Sequence, residues 1–247
     1  MSKPFKFKQF TVEQNRCAMK IGTDGVLLGA WASIEGNPAT ILDIGAGTGV
    51  MALQLAQRST AETIDAVEID DNAFEQCSEN FEASPWGDRL FCYHASIQEF
   101  ASTFAQASED EAEMDDTYQL IVSNPPFYSE NFKSDNEARD KARFTDALPF
   151  QHLIVCVAHL LDKEGVFAII IPRKEEESFV KLAEDQALFP QRICHVRGTS
   201  VSEEKRSMIE FSRVQQPPIM EVLTIENARH DYTEAYKNLV SDFYLKL

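Results

Sequence analysis

Basic residues are scarce in this chain: 23 Lys and Arg stand against 40 Asp and Glu, a formal net charge of −17. Broad phosphate binding is carried by Lys and Arg, so a deficit of that size counts against a nucleic-acid partner gripped over the whole surface. Cysteine is sparse as well. Five copies, an odd number with no C-x-x-C pair, exclude a disulfide or zinc-ribbon framework and point to a reduced, cytoplasmic protein. Cys77, Cys92, Cys156 and Cys194 fall in apolar patterns and read as small core residues, and nothing near Cys17 makes it a nucleophile. The five histidines show no metal-ligand spacing, so no metal is expected; His152 and His159 can share a helix face as surface or satisfied polar groups. No apolar run reaches a membrane span and no signal-peptide apolar region opens the chain, so no membrane contact is expected.

The few basic residues are not spread evenly. Lys3, Lys6, Lys8, Arg16 and Lys20 lie near the start, Lys133, Arg139, Lys141 and Arg143 in mid-chain, and Arg192, Arg197, Lys205, Arg206 and Arg213 near the end. A local patch can hold a phosphate backbone on an otherwise acidic protein. The run from Ser108 to Asp116 reads as a solvated acidic loop. In Phe5-Lys6-Phe7-Lys8 aromatic and basic residues alternate. That pattern can stack on nucleic acid; an edge strand with one buried face is the plainer reading.

The first chemical signal is Ile41-Leu42-Asp43-Ile44-Gly45-Ala46-Gly47-Thr48-Gly49. An apolar strand ends in glycines and runs into a helical pattern from Val50. Glycine there permits positive φ and close approach of a ligand to the backbone. A dinucleotide fingerprint needs G-x-G-x-x-G. Gly45 and Gly47 fit, but Val50 occupies the third glycine position. A second strand at 64–68 ends in Glu68, about 20 residues further on, where an acid can grip ribose hydroxyls. Asp70 is the alternative acid, and Asp70 or Asp71 caps the next helix.

The second signal is Asn124-Pro125-Pro126-Phe127, directly after the apolar run Leu120-Ile121-Val122. Two prolines lack N–H groups and fix φ, so the loop is stiff and cannot continue the ladder. Asn124 and the Pro125 carbonyl are acceptors, and Phe127 is a flat apolar platform. The lone pair of an aryl amine or amide nitrogen is delocalised. Accepting hydrogen bonds from both amine hydrogens pulls that nitrogen toward tetrahedral geometry, and stacking fixes the ring plane, which is orientation with electrostatic preorganisation. Such a loop suits methyl transfer to an amine; the plainer alternative is a Pro-Pro turn with a core Phe.

Between these signals strands and helices alternate. Strands are expected at 89–94, 118–123, 166–171, 192–197, 208–213 and 221–225, and helices at 96–106, 151–161, 175–188 and 233–244, with Thr23 or Asp24 capping a helix through Trp31. Alternation predicts a mainly parallel α/β sheet. The last long strands leave no room for a crossover helix, so they pair antiparallel.

This order, with its Asp-x-Gly-x-Gly-x-Gly loop and Asn-Pro-Pro-Phe, resembles the class I S-adenosylmethionine-dependent amino-methyltransferases. More narrowly, the whole chain resembles the bacterial tRNA1(Val) adenine-N6 methyltransferase family. The carrying residues are Phe7-Lys8-Gln9-Phe10, the run 17–31, Ser84-Pro85-Trp86, the Asn124–Phe127 tetrapeptide, Ala142-Arg143-Phe144 and Ser241-Asp242-Phe243-Tyr244-Leu245. The resemblance implies a Rossmann-like fold: a mainly parallel seven-stranded sheet, helices on both faces and an antiparallel C-terminal hairpin. It implies one methyltransferase domain over 1–247, with 1–39 as an N-terminal extension and helix and 40–247 as the core. The implied cofactor is S-adenosylmethionine, held by Thr23, Asp24, Asp43, Gly45, Gly47, Gly49, Glu68, Ser96 and Asn124, with Thr23 and Asp24 at its methionine end. Ser96 stands where such enzymes often place an adenine-binding Asp. Asn124, Pro125, Pro126 and Phe127 are the implied catalytic residues, the substrate is adenosine 37 of a tRNA, and the enzyme is a monomer. Lys133, Arg139, Lys141 and Arg143 flank the Pro-Pro loop and are the expected tRNA contacts. Two other enzymes share the lone-pair problem, a protein-glutamine N5- and an rRNA guanine-N2-methyltransferase. A non-catalytic nucleotide-binding module is the alternative outside enzymes.

Overall fold

The computed structural model describes residues 3–110, 117–126 and 149–246. Phe127, Lys133, Arg139, Lys141, Arg143 and residues 111–116 of the acidic run lie outside them. A small antiparallel pair, β1 (Phe5–Lys6) and β2 (Thr11–Val12), opens the chain. Then follow α1 (Thr23–Trp31), β3 (Thr40–Ile44), α2 (Val50–Arg58), β4 (Thr63–Glu68), α3 (Asp71–Glu82), β5 (Leu90–His94), α4 (Ile97–Asp110) and β6 (Tyr118–Ser123). The second half holds α5 (Phe150–Leu160), β7 (Leu161–Pro172), a 3-10 turn at Arg173–Glu175, α6 (Glu176–Glu184), β8 (Phe189–Arg197), β9 (Glu204–Ser212) and β10 (Ile219–Thr224). A hairpin of β11 (Glu226–Ala228) and β12 (Asp231–Tyr232) precedes α7 (Glu234–Val240).

The main sheet runs β5-β4-β3-β6-β7-β9-β8-β10. All its pairs are parallel except those of β9, which is antiparallel to both β7 and β8. The expected C-terminal hairpin is therefore present as β8–β9. The sheet has eight strands rather than seven, because β10 adds at the edge, parallel to β8, pairing Ile219 with Arg192 through Thr224 with Arg197. β6 and β7 carry continuous apolar runs, Leu120–Val122 and Val166–Ile171, as strands covered on both faces do.

One buried cluster joins α1, α2, α7 and the N-terminal aromatics to one face, and a second joins α4, α5 and α6 to the other. Phe7 and Phe10 stack at 4.6 Å in the first cluster and are buried. They pack the core instead of offering faces to nucleic acid, as the edge-strand reading required. Cys17, Cys77, Cys156 and Cys194 are buried and Cys92 is half-buried.

Helix α1 starts at Thr23, one residue earlier than a Thr23 cap allows and two earlier than an Asp24 cap allows. Gly22 occupies the N-cap position and makes no side-chain cap bond. Asp24 instead pairs with Arg206 Nε at 2.7 Å. Close crossing of α1 and α2 depends on Gly29: a Cβ there would stand 2.5 Å from Gln54 Oε1, whose amide Nε2 donates to the Val26 carbonyl at 3.1 Å.

Candidate active site

Strand β3 lies between β4 and β6, so chain connections diverge on either side of it. That divergence leaves a crevice beyond its carboxyl end, the usual ligand position of an open α/β sheet. Register fixes what flanks the crevice. Ile44 pairs with Val67 on one side and Ser123 on the other, so Glu68, Gly45 and Asn124 leave three adjacent strands side by side. Ser123 Oγ donates to the Ile44 carbonyl at 2.9 Å and ties the two loops at their roots.

The glycine loop has the backbone its composition demands. Gly45, Gly47 and Gly49 have φ of 74°, 56° and 77°, the region that side-chain-bearing residues occupy at a cost. A Cβ built on Gly45 or Gly47 meets nothing within 4 Å, so the loop backbone faces open space there. At Gly49 a Cβ would stand 2.6 Å from the Phe81 ring and 2.8 Å from Cys77 Sγ, so that glycine serves packing as well as φ.

Glu68 is buried and shapes this loop. Its Oε2 accepts from Gly47 N–H at 2.8 Å, and its Oε1 from the N–H groups of Ile69 and Asp70, both at 2.9 Å. A carboxylate has about four acceptor sites, which leaves capacity for a hydroxyl. Asp70, the alternative acid, caps α3 by accepting from Ala73 N–H at 2.8 Å. Asp43 is fully buried below the loop. Its Oδ2 accepts from Ala52 N–H at 3.2 Å, while Oδ1 has no partner among the described residues. Burial pushes its carboxyl up to about 7, against the Ala52 bond and helped by the nearby Glu68 charge.

Asn124 is half-buried, Pro125 buried and Pro126 exposed. The Asn124 Nδ2 lies 3.6 Å from where a Cβ of Gly25 would stand, so α1 meets the Asn-Pro-Pro loop at a glycine. Thr23 and Asp24 directly precede Gly25 in the first turn of α1.

Ser96 has a local duty. It accepts from Glu99 N–H at 3.2 Å and donates its hydroxyl to Glu99 Oε2 at 2.7 Å, while its own N–H donates to the same carboxylate at 3.0 Å. This is a capping box at the start of α4, and these bonds hold the Glu99 carboxyl below its usual range. The S-x-x-E spacing that announces it is present in Ser96-Ile97-Gln98-Glu99.

The sequence-marked basic residues near both ends are mostly engaged within the protein. Arg16 pairs with Glu75 and Glu79 at 3.1 and 2.8 Å, Arg192 with Glu210 at 2.9 Å, and Arg206 with Asp24. His152 and His159 lie exposed on α5. Among the described residues no cluster could hold a metal, and no helix is long and apolar enough to cross a membrane.

The open glycine backbone, the acid beside it and the orphaned Asp43 oxygen fit a nucleoside-bearing cofactor with a polar tail. Comparison with known proteins agrees. Residues 26–184 match the family model described as Methyltransferase small domain. A tRNA1(Val) (adenine(37)-N6)-methyltransferase of Christiangramia forsetii is 55% identical over 100% of this chain and 99% of that protein. The enzyme of the same description from Bacteroides fragilis is 42% identical over 100% of both. Among solved structures, one described as "a predicted O-methyltransferase" from Agrobacterium tumefaciens superposes with a TM-score of 0.65 at 16% identity, covering 89% of this chain and 96% of that one. A ribosomal protein L11 methylase from Lactobacillus delbrueckii gives 0.51 at 16% identity, covering 77% of each. These two establish the fold.

Proposed function

The chain belongs to the tRNA1(Val) (adenine(37)-N6)-methyltransferase family, and we infer from that premise that it methylates N6 of adenosine 37, the nucleotide 3′ of the anticodon, in tRNA1(Val). It is an S-adenosylmethionine-dependent enzyme. The cofactor supplies an activated methyl group. The site residues are our proposal. Loop 45–49 receives the cofactor backbone-to-ligand, Glu68 accepts from its ribose hydroxyls, Asp43 supports the loop from below, and Thr23 and Asp24 face its methionine end. Ser96 is committed to capping α4, and a backbone group near it, rather than its hydroxyl, meets the adenine.

The observation that carries the catalytic reading is the position of Asn124. It leaves β6 level with Gly45 and lies against Gly25. Its side-chain carbonyl and the backbone carbonyl of Pro125 accept from the two amine hydrogens and aim the nitrogen lone pair at the cofactor. The Pro-Pro pair holds those acceptors still, and Phe127 stacks on the base. A loop base is already unpaired, so extruding it opens no duplex. Lys133, Arg139, Lys141 and Arg143 take the phosphates around it. We read residues 1–247 as one domain acting as a monomer in the cytoplasm, where five free thiols stay reduced.

The test is methyl incorporation from labelled cofactor into tRNA1(Val), into the same tRNA with adenosine 37 replaced by guanosine, into rRNA and into a release factor. Label in the first alone is expected. Label in rRNA or protein but not tRNA overturns the substrate. With all four basic residues of the loop neutralised, the salt dependence of tRNA affinity should flatten by roughly one unit per lost phosphate contact.

A further inference from the structure

Residues 13–22 belong to no helix or strand, so their backbone groups need partners from elsewhere. Two buried amides of α3 provide them. Asn80 Oδ1 accepts from Glu13 N–H at 2.8 Å, and its Nδ2 donates to the Glu13 carbonyl at 2.9 Å. The same Nδ2 donates to the carbonyl of Thr48, inside the glycine loop, at 2.9 Å. One turn earlier Gln76 Oε1 accepts from Arg16 N–H at 3.3 Å. Asn80 and Gln76 are 2% and 1% exposed, and a polar side chain is buried so completely only where its bonds are made.

The segment is also closed on itself. Lys20 Nζ donates to the carbonyls of Cys17, at 2.9 Å, and Gln14, while Gln14 Oε1 accepts from Ile21 N–H at 3.1 Å. At its middle Cys17 is buried, and burial followed by the charge of Glu68 pushes its thiol up to about 11. At its far end the segment becomes α1, which reaches Asn124 at Gly25. It therefore runs from the glycine loop, past the ribose acid, to the catalytic loop.

We propose that residues 13–21 form a strap across the cofactor site, and that Asn80 and Gln76 are positioning residues that fix this strap relative to the glycine loop. The proposal rests on the reading of loop 45–49 as the cofactor site. Neither amide touches the cofactor; each acts through the strap.

The experiment measures S-adenosylmethionine affinity by calorimetry, KM for the cofactor and kcat at saturation with tRNA, and hydrogen exchange over 13–21 with and without cofactor. Asn80→Ala and Gln76→Ala should each raise Kd and KM for the cofactor by about tenfold, the scale of one lost buried hydrogen bond, with kcat at saturation within about twofold. In the parent protein the cofactor should slow exchange across the strap. Gln14→Ala, at a half-buried position outside the core, loosens the strap without disturbing α3; it should raise Kd by about threefold, and it decides the matter if Asn80→Ala does not fold. Glu68→Ala is the control. If it binds cofactor like the parent, the site reading fails. If it weakens binding while Asn80→Ala, Gln76→Ala and Gln14→Ala do not, or if those variants lower kcat with KM unchanged, the strap is overturned.

Discussion

The loop after β3 and the loop after β6 leave adjacent strands at the carboxyl end of the sheet, yet their backbones are built in opposite ways. The first places three glycines at positive φ and leaves two of them facing open space. The second sets Pro125 and Pro126 after Asn124, with φ fixed by their rings. A backbone stripped of side chains lets a large ligand lie close against it. A backbone stripped of N–H groups and freedom presents carbonyls in one direction. The first is a binding device and the second an orienting device, and their roots are tied by Ser123 and Ile44.

Changes within the two loops should separate these roles. Gly49→Ala should have the largest effect. It forces a Cβ into a left-handed residue, about 1–2 kcal/mol, and against Phe81 and Cys77, about 1–3 kcal/mol more. Gly47→Ala, with nothing near its Cβ, should cost only the first amount. Equal losses in chemical denaturation would show that packing at Gly49 is not as described.

Asp43 gives a pH signature. Burial raises its carboxyl from the ordinary 3.8 to about 7, so the folded form holds the proton more tightly. Stability from this group is fully present below about 3.8 and is lost as pH rises through about 7, by up to roughly 4 kcal/mol at about 1.4 kcal/mol per unit. Asp43→Asn should remove that decline when cofactor-free protein is unfolded in urea between those limits. A slope unchanged by the substitution contradicts the raised pKa.

Smaller effects follow on each side of the crevice. Glu68→Ala should weaken cofactor binding by about 1–3 kcal/mol, since it leaves Gly47 N–H and the ribose without their acceptor; unchanged affinity in calorimetry removes Glu68 from the site. Pro125→Ala should lower stability by only about 0.4–1 kcal/mol through the entropy of the unfolded chain. If Pro125 orients the substrate, the methylation rate should fall by more than that loss of stability accounts for.

Much of this was legible in the residues themselves. The apolar run into Gly45, the break of the dinucleotide spacing at Val50, the cap at Asp70 and the stiff exit from β6 each follow from local chemistry, and each stands in the structure. Ser96 carries two signals at once: its position after β5 speaks for a ligand, and its spacing to Glu99 speaks for the helix start that the structure contains. Gln76 and Asn80 sit among Glu75 and Glu79 and look like a solvated face. Their burial depends on residues 13–16 packing over α3, a contact between segments about 60 residues apart that no local pattern encodes. The pairing of Arg16, Arg192 and Arg206 with distant carboxylates is hidden for the same reason. The eighth strand was read as a strand, but its place beside β8 is a matter of register.

The division of labour between the loops is tested most directly by single-turnover methylation of tRNA1(Val) by Asn124→Ala, with cofactor affinity measured on the same preparation. The account predicts a rate reduced by about 10²–10³, the scale of losing one preorganised polar group, and an S-adenosylmethionine Kd within about threefold of the parent, less than the loss of one hydrogen bond. A variant that keeps most of its rate, or that loses rate only in proportion to a loss of cofactor binding, would contradict it.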